Sequence, residues 1–194
     1  LDTRRNIISI GDAFLAGKAR IDRNRLPPGV LAHLEDSDSL ARAIRDLHAY
    51  AVQRTSDKTK YAIVYRVVTE QDRDAVNHKL QNLFGVTRFA AASADYCPPV
   101  GHYHMIDSEH IAHVCNRHSD RDVEHKRGHL PVAASDFEMV PVAVSPKNIQ
   151  EFQMSGDLPR IIYSMDTELA RLIVVEEFSR KRGLIFKTAY KQKK

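Results

Sequence analysis

Apolar residues recur along this chain with two different periods, and the change from one to the other marks a change of architecture. Between residues 37 and 51, Leu40, Ile44, Leu47 and Ala51 return every three or four positions with polar residues between them. This is the signature of a helix with one buried stripe, and Ser37 or Asp38 supplies its cap. Residues 61–68 are rich in β-branched and aromatic side chains and predict a strand. Thr69 then caps a helix over 70–83 that ends near Gly85. Upstream, residues 7–10 are apolar, Asp12 is placed to cap a short helix over 12–19, and Leu26-Pro27-Pro28-Gly29 reads as a turn or a helix start. Residues 90–99, with Ser93, Asp95 and Pro98-Pro99, form a connection, and a boundary is expected there: an N-terminal α/β segment over 1–96 and a second unit over 97–194.

The second unit is ordered differently. A helix is expected over 108–117, with Asp107 or Ser108 as cap and Ile106 and Ile111 as buried positions. A short extension follows at 122–126, and a helical turn at 135–137. Three strands come next, at 160–165, 169–178 and 183–190. The short polar segments 166–168 and 179–182 suit hairpin connections. Helices first and an antiparallel meander last make an α+β class.

Composition narrows the function. The chain has 194 residues, 43% of them hydrophobic, enough for one substantial core or two small ones. No apolar run approaches the roughly 18 residues of a membrane span, and no signal-like apolar stretch opens the chain. The first residue is Leu1 rather than Met, as expected of a piece of a longer chain. Cys97 and Cys115 form no CxxC pair, which points to reduced thiols and a cytoplasmic working environment. Net charge is +4, and residues 180–194 hold seven basic side chains and no acid. Leu184, Ile185, Phe186 and Tyr190 are interleaved with those charges, so the segment reads as a strand with a basic side, suited to a polyanion.

Histidine is the most unusual feature. Of ten histidines, seven lie between His102 and His129. Imidazoles serve general acid–base chemistry near neutrality and also bind metals. His110 and His113 share a helix face, and His102 and His104 share a side of an extended stretch. HExxH and zinc-finger spacings are absent, and nothing in the pattern requires a metal or another cofactor. His33, His48, His78 and His125 have no chemical neighbour in the pattern and read as ordinary surface or half-buried residues.

A series of short matches carries a resemblance. They are Ile106-Asp107-Ser108, Ile111-Ala112-His113, Arg117-His118 and Arg127-Gly128-His129-Leu130-Pro131-Val132. Ser135-Asp136-Phe137, Val140-Pro141, Pro146 and Ile149 follow, then Ile161-Ile162-Tyr163-Ser164, residues 172–177 and finally Phe186-Lys187-Thr188-Ala189-Tyr190-Lys191. In their order and spacing, residues from about 100 to 194 resemble the phage-associated nucleases of the barnase–EndoU–colicin–RelE (BECR) superfamily; residues 1–96 are outside the resemblance. It implies a helix packed on a small antiparallel sheet, with RNA bound across the sheet face. It also implies a metal-independent endoribonuclease of the toxin type, with tRNA or another structured RNA as substrate, that leaves a 2′,3′-cyclic phosphate. A neutralising antitoxin or immunity protein is the partner to expect. The alternatives are a nucleic-acid-binding module of the same fold and a histidine-based metal-dependent hydrolase.

Such a reaction needs a base, an acid and a cation for the phosphorane. His113 and His118 are the candidates for proton transfer. They are about 140° apart on an ideal helix, so both reach one site only if the helix ends near Arg117. Thr188 and Tyr190 are the other catalytic candidates. Lys187, Arg127 and Lys191 are the candidate phosphate-binding cations. On a regular strand Phe186, Thr188 and Tyr190 share one side, and Lys187 joins them only around a bulge. Ser164 and Glu176 are expected to line the same face. Of Glu176 and Glu177, one must point to each side of the sheet, and a buried Glu176 beside a histidine would orient its imidazole.

Overall fold

The computed structural model describes residues 37–53, 61–84, 96–156, 158–179 and 183–194. The expectations for 7–10, 12–19 and 26–29, for Gly85, and for residues 180–182 of the last connection lie outside them.

The helix expected after Ser37 is α1 (Ser37–Gln53), with Leu40, Ala43, Ile44, Leu47 and Ala51 on its buried stripe. Strand β1 (Ala62–Val67) leads into α2 (Glu70–Phe84). The Thr69 hydroxyl accepts from the Asp72 N–H at 3.3 Å, and Asp72 accepts in return from the Thr69 N–H at 2.8 Å, a reciprocal cap. Strand β2 (Tyr103–Asp107) runs straight into α3 (Ser108–His118), and Asp107 caps that helix through the His110 N–H at 2.8 Å. Next come α4 (Arg121–Lys126), β3 (His129–Leu130), α5 (Ala134–Glu138), α6 (Val140–Ala143) and a 3₁₀ turn (Pro146–Asn148). The chain closes with β4 (Ile149–Ser155), β5 (Leu158–Asp166), β6 (Ala170–Ser179) and β7 (Gly183–Lys193).

The α+β class holds, but the sheet is larger than expected and mixed. Seven strands run in the order β1-β2-β7-β6-β5-β4, with β3 added on β7. All pairs are antiparallel except β2 with β7. The expected boundary at 96/97 falls in the connection between α2 and β2. Both sides of it contribute to one sheet and one core, since β1 pairs with β2 and Ile44, Leu80, Val114, Phe137 and Phe186 belong to the same buried cluster. Burial of this kind stabilises by about 1.5–3 kcal/mol for each fully covered large aliphatic or aromatic side chain.

Strand β4 was not foreseen. A bulge between Ile149 and Glu151 separates its two buried anchors, Ile149 and Phe152, by three positions and erases the alternation that announces a strand. The two cysteines are free thiols. Burial pushes the Cys97 thiol up to about 12 and also raises that of Cys115, so neither is an activated nucleophile.

Candidate functional site

The site is built where β7 changes faces. Along β7, Leu184 lies opposite Phe178 and Phe186 opposite Glu176, all on the inner, helix-covered face. Thr188, however, lies opposite Val175, one strand position from Glu176, and the register shifts there. Lys187 is the additional residue of a β-bulge. Because of it, Phe186 and Ala189 pack in the core, while Thr188 and Tyr190 project to the outer face. The expectation that Phe186, Thr188 and Tyr190 share one side is corrected by this bulge. Ser164 and Glu176 are likewise not on one face: Ser164 lies opposite Ile173, and Glu176 opposite Ile161, three positions along β5.

Helix α3 contacts β7, which pairs with β2 at Leu184 and Ile185 and with β3 at Lys191 and Gln192. The helix runs through His118, with Ser119 beyond it, so His113 and His118 both stand on helical backbone, and His118 is the one carried to the helix end. The His118 carbonyl accepts from the Val132 N–H at 2.7 Å, which ties the helix end to the segment after β3. Helix α4 is capped by Asp120 and stops at Arg127, where Gly128 takes a left-handed φ of +76° and turns the chain into β3. His129 is thereby brought back over Glu124.

Glu124 is the centre of the arrangement. Its side chain is fully buried, and one oxygen, Oε2, lies 3.1 Å from Nδ1 of His129 and 3.3 Å from Nδ1 of His118. The His129 contact is a hydrogen bond; that of His118 is an ion-pair approach off the bonding direction, which leaves its buried Nδ1 without an aligned partner. The other oxygen, Oε1, accepts from Nη1 of Arg127 at 2.8 Å. Burial favours protonation of Glu124, but His118, Arg127 and His129 together outweigh it and hold its carboxyl below the usual range. Glu124 therefore stays ionised at neutral pH. The Tyr190 ring stacks on His129 at 5.1 Å between centroids and lies 6.2 Å from that of His118. Burial first, and then the charge of Glu151, raises the Tyr190 hydroxyl, which keeps it a proton-bearing phenol.

His113 stands nearby on the exposed side of α3. Its pKa is lowered by burial and by the positive charges of Arg117, His110, His118 and Lys187, so it is neutral at pH 7. Lys187 itself reaches Glu177 at 3.5 Å on the outer face. Replacing Lys187 with methionine removes one of those charges and should raise the His113 pKa, read from its ring-proton NMR titration; a titration unchanged or shifted downward contradicts this placement. Beside Lys187, the buried Thr188 hydroxyl has no hydrogen-bond partner.

The structure thus brings together His113, His118, Lys187, Thr188, Tyr190 and Arg127. Lys191 is on the other face, opposite Leu172, and is engaged by Asp136 at 2.8 Å. Glu124 and His129 went unrecognised as site residues. No periodic signal singles out Glu124 in the polar run from Ser119 to Arg127, because its burial comes from the return of His129 and β7. Among the described residues no group of three His, Cys, Asp or Glu side chains is arranged to hold a metal ion, and no helix is long and apolar enough to cross a membrane.

No family model, curated protein or solved structure matches this chain.

Proposed function

We propose that the chain is a metal-independent endoribonuclease of the toxin type, acting in the cytosol of the producing or a target cell. The observation that carries this reading is the convergence of two imidazoles, His118 and His129, on Glu124 and Tyr190, with Lys187 and Thr188 on the same stretch of β7. These are the group types that phosphodiester transesterification requires.

In this reaction a base removes the proton of the ribose 2′-hydroxyl, and the oxygen attacks the adjacent phosphorus. The P–O5′ bond breaks as an acid delivers a proton to the departing oxygen. The products are a 2′,3′-cyclic phosphate and a 5′-hydroxyl. His118 takes one of the two proton-transfer roles, and an imidazole beside it takes the other. Lys187 neutralises charge on the phosphorane, assisted by the Thr188 hydroxyl. Tyr190, a flat phenol on the outer face, offers a stacking surface for a base and a proton for hydrogen bonding. Arg127 adds positive charge at the rim. A producer of such an enzyme needs a neutralising protein, and an acidic surface on that partner complements this basic edge.

The test is incubation of total RNA, in EDTA, with the wild-type protein and with a His113→Ala/His118→Ala variant. Discrete fragments with 2′,3′-cyclic phosphate ends from the wild type alone are expected. RNA left intact but bound tightly by both proteins at low salt would instead assign the chain to nucleic-acid binding.

A further inference from the structure

His113 and His118 are neighbours on one helix, but the structure treats them differently. His118 and His129 both turn Nδ1 toward the same oxygen of a buried, ionised carboxylate, at 3.3 and 3.1 Å. No described side chain orients the ring of His113 in this way. The hydrogen bond to Glu124 fixes the ring plane of His129, the ion-pair approach draws His118 toward the same oxygen, and each ring presents Nε2 on its other side. Two such rings facing one oxygen are necessarily close together, and both are near the Tyr190 ring. Both keep partial access to solvent, with 16% and 23% of their side chains exposed, whereas Glu124 has none. A carboxylate with no solvent exposure, enclosed by two imidazoles and the Arg127 guanidinium, is suited to positioning rather than to proton exchange with RNA.

Resting on the ribonuclease reading, we propose that His118 and His129 are the catalytic acid–base pair, working through their Nε2 atoms, and that Glu124 is the positioning residue that holds both. His113 then borders the site without exchanging the reaction's protons. In the cleavage step, one imidazole receives the 2′-hydroxyl proton at Nε2 while the other, protonated, gives its Nε2 proton to the departing 5′-oxygen. The pair ends the step with its protonation states exchanged, and the proton count balances.

The experiment uses two RNA oligonucleotides of one sequence, one with the natural 5′-oxygen at the scissile phosphate and one with a bridging sulfur there. A thiolate leaves without protonation, so the sulfur substrate relieves the need for an acid but not for a base. Asparagine replaces each histidine, because at 118 and 129 its amide nitrogen can donate toward Glu124 from near the Nδ1 position while the Nε2 function is lost. His118→Asn and His129→Asn should each cleave the oxygen substrate about 10²–10⁴-fold more slowly than wild type. His113→Asn should stay within about tenfold, below the range of general acid–base loss. The sulfur substrate should restore one of the two slow variants and not the other, which also identifies the acid. Glu124→Gln should lower kcat with little change in KM. Circular dichroism should show each variant folded; if His129→Asn is not, His129→Gln serves in its place. Wild-type activity with His129 variants equally active, or sulfur rescue of a slow His113→Asn, overturns the assignment alone. A wild type inert on both substrates overturns the ribonuclease reading and this pair with it.

Discussion

Replacement of Glu176 by alanine should lower the free energy of unfolding by about 3–5 kcal/mol, since each buried group left without its hydrogen-bond partner costs roughly 1–3 kcal/mol. Glu176 lies at the middle of the inner face with no solvent exposure. Its carboxylate accepts from the Tyr65 hydroxyl at 2.5 Å and the Tyr163 hydroxyl at 2.9 Å, and Nδ1 of the equally buried His104 is 2.9 Å from Oε2. Alanine leaves two phenols and an imidazole without their common partner, and opens a cavity besides. Urea unfolding should show a lower midpoint at constant m-value, and a loss under about 1 kcal/mol would contradict the buried network.

The same network gives stability a pH dependence. Burial, followed by the negative charge of Glu176, raises both tyrosine hydroxyls well above their ordinary value. The folded state therefore holds these protons more tightly than the unfolded chain. Their contribution is complete below the unfolded tyrosine pKa of about 10 and is lost progressively as pH rises above it. The Tyr65→Phe/Tyr163→Phe variant should lose less stability per pH unit in that alkaline window than the wild type. An equal slope would mean that neither phenol titrates with unfolding.

The second large effect concerns activity. His118→Ala should reduce kcat/KM on RNA by about 10²–10⁴-fold, the range associated with one general acid or base. Binding measured separately should weaken far less, because the proposed reading assigns phosphate affinity to Lys187, Arg127 and the other cations. A fall in binding equal to the fall in kcat/KM would make His118 a binding group rather than a proton-transfer group.

Much of this was visible in the sequence, and what was not has identifiable physical causes. Helix α3 was legible because Asp107 is a good cap and Ile106 and Ile111 fall where a buried stripe begins. Strands β5, β6 and β7 were legible because their alternation or continuous apolar runs are undisturbed over most of their length. Glu176 and Glu177 had to face opposite sides, and the structure gives Glu176 its histidine, His104, and Glu177 its cations, Arg160 and Lys187. Which histidine would meet Glu176 was not readable, since 72 residues separate the pair. Bulges account for the errors on β4 and β7: one extra residue reverses the face of all that follows, so Phe186 and Thr188 came out on opposite sides. The role of Glu124 was hidden for a different reason. A charged residue becomes buried only through its partners, and His118, Arg127 and His129 are assembled by the end of α3, the stop of α4 and the left-handed Gly128.

In the proposed reaction the 2′-hydroxyl of RNA is the nucleophile, and imidazoles at the β7 edge move the protons. This is tested most directly with an RNA oligonucleotide cleaved by the wild-type protein in EDTA and the same oligonucleotide carrying one 2′-deoxyribose at the cleaved position. Loss of cleavage at that position, with a 2′,3′-cyclic phosphate end on the all-ribose product, is the predicted result. Cleavage of the deoxy-substituted strand at an undiminished rate would contradict it.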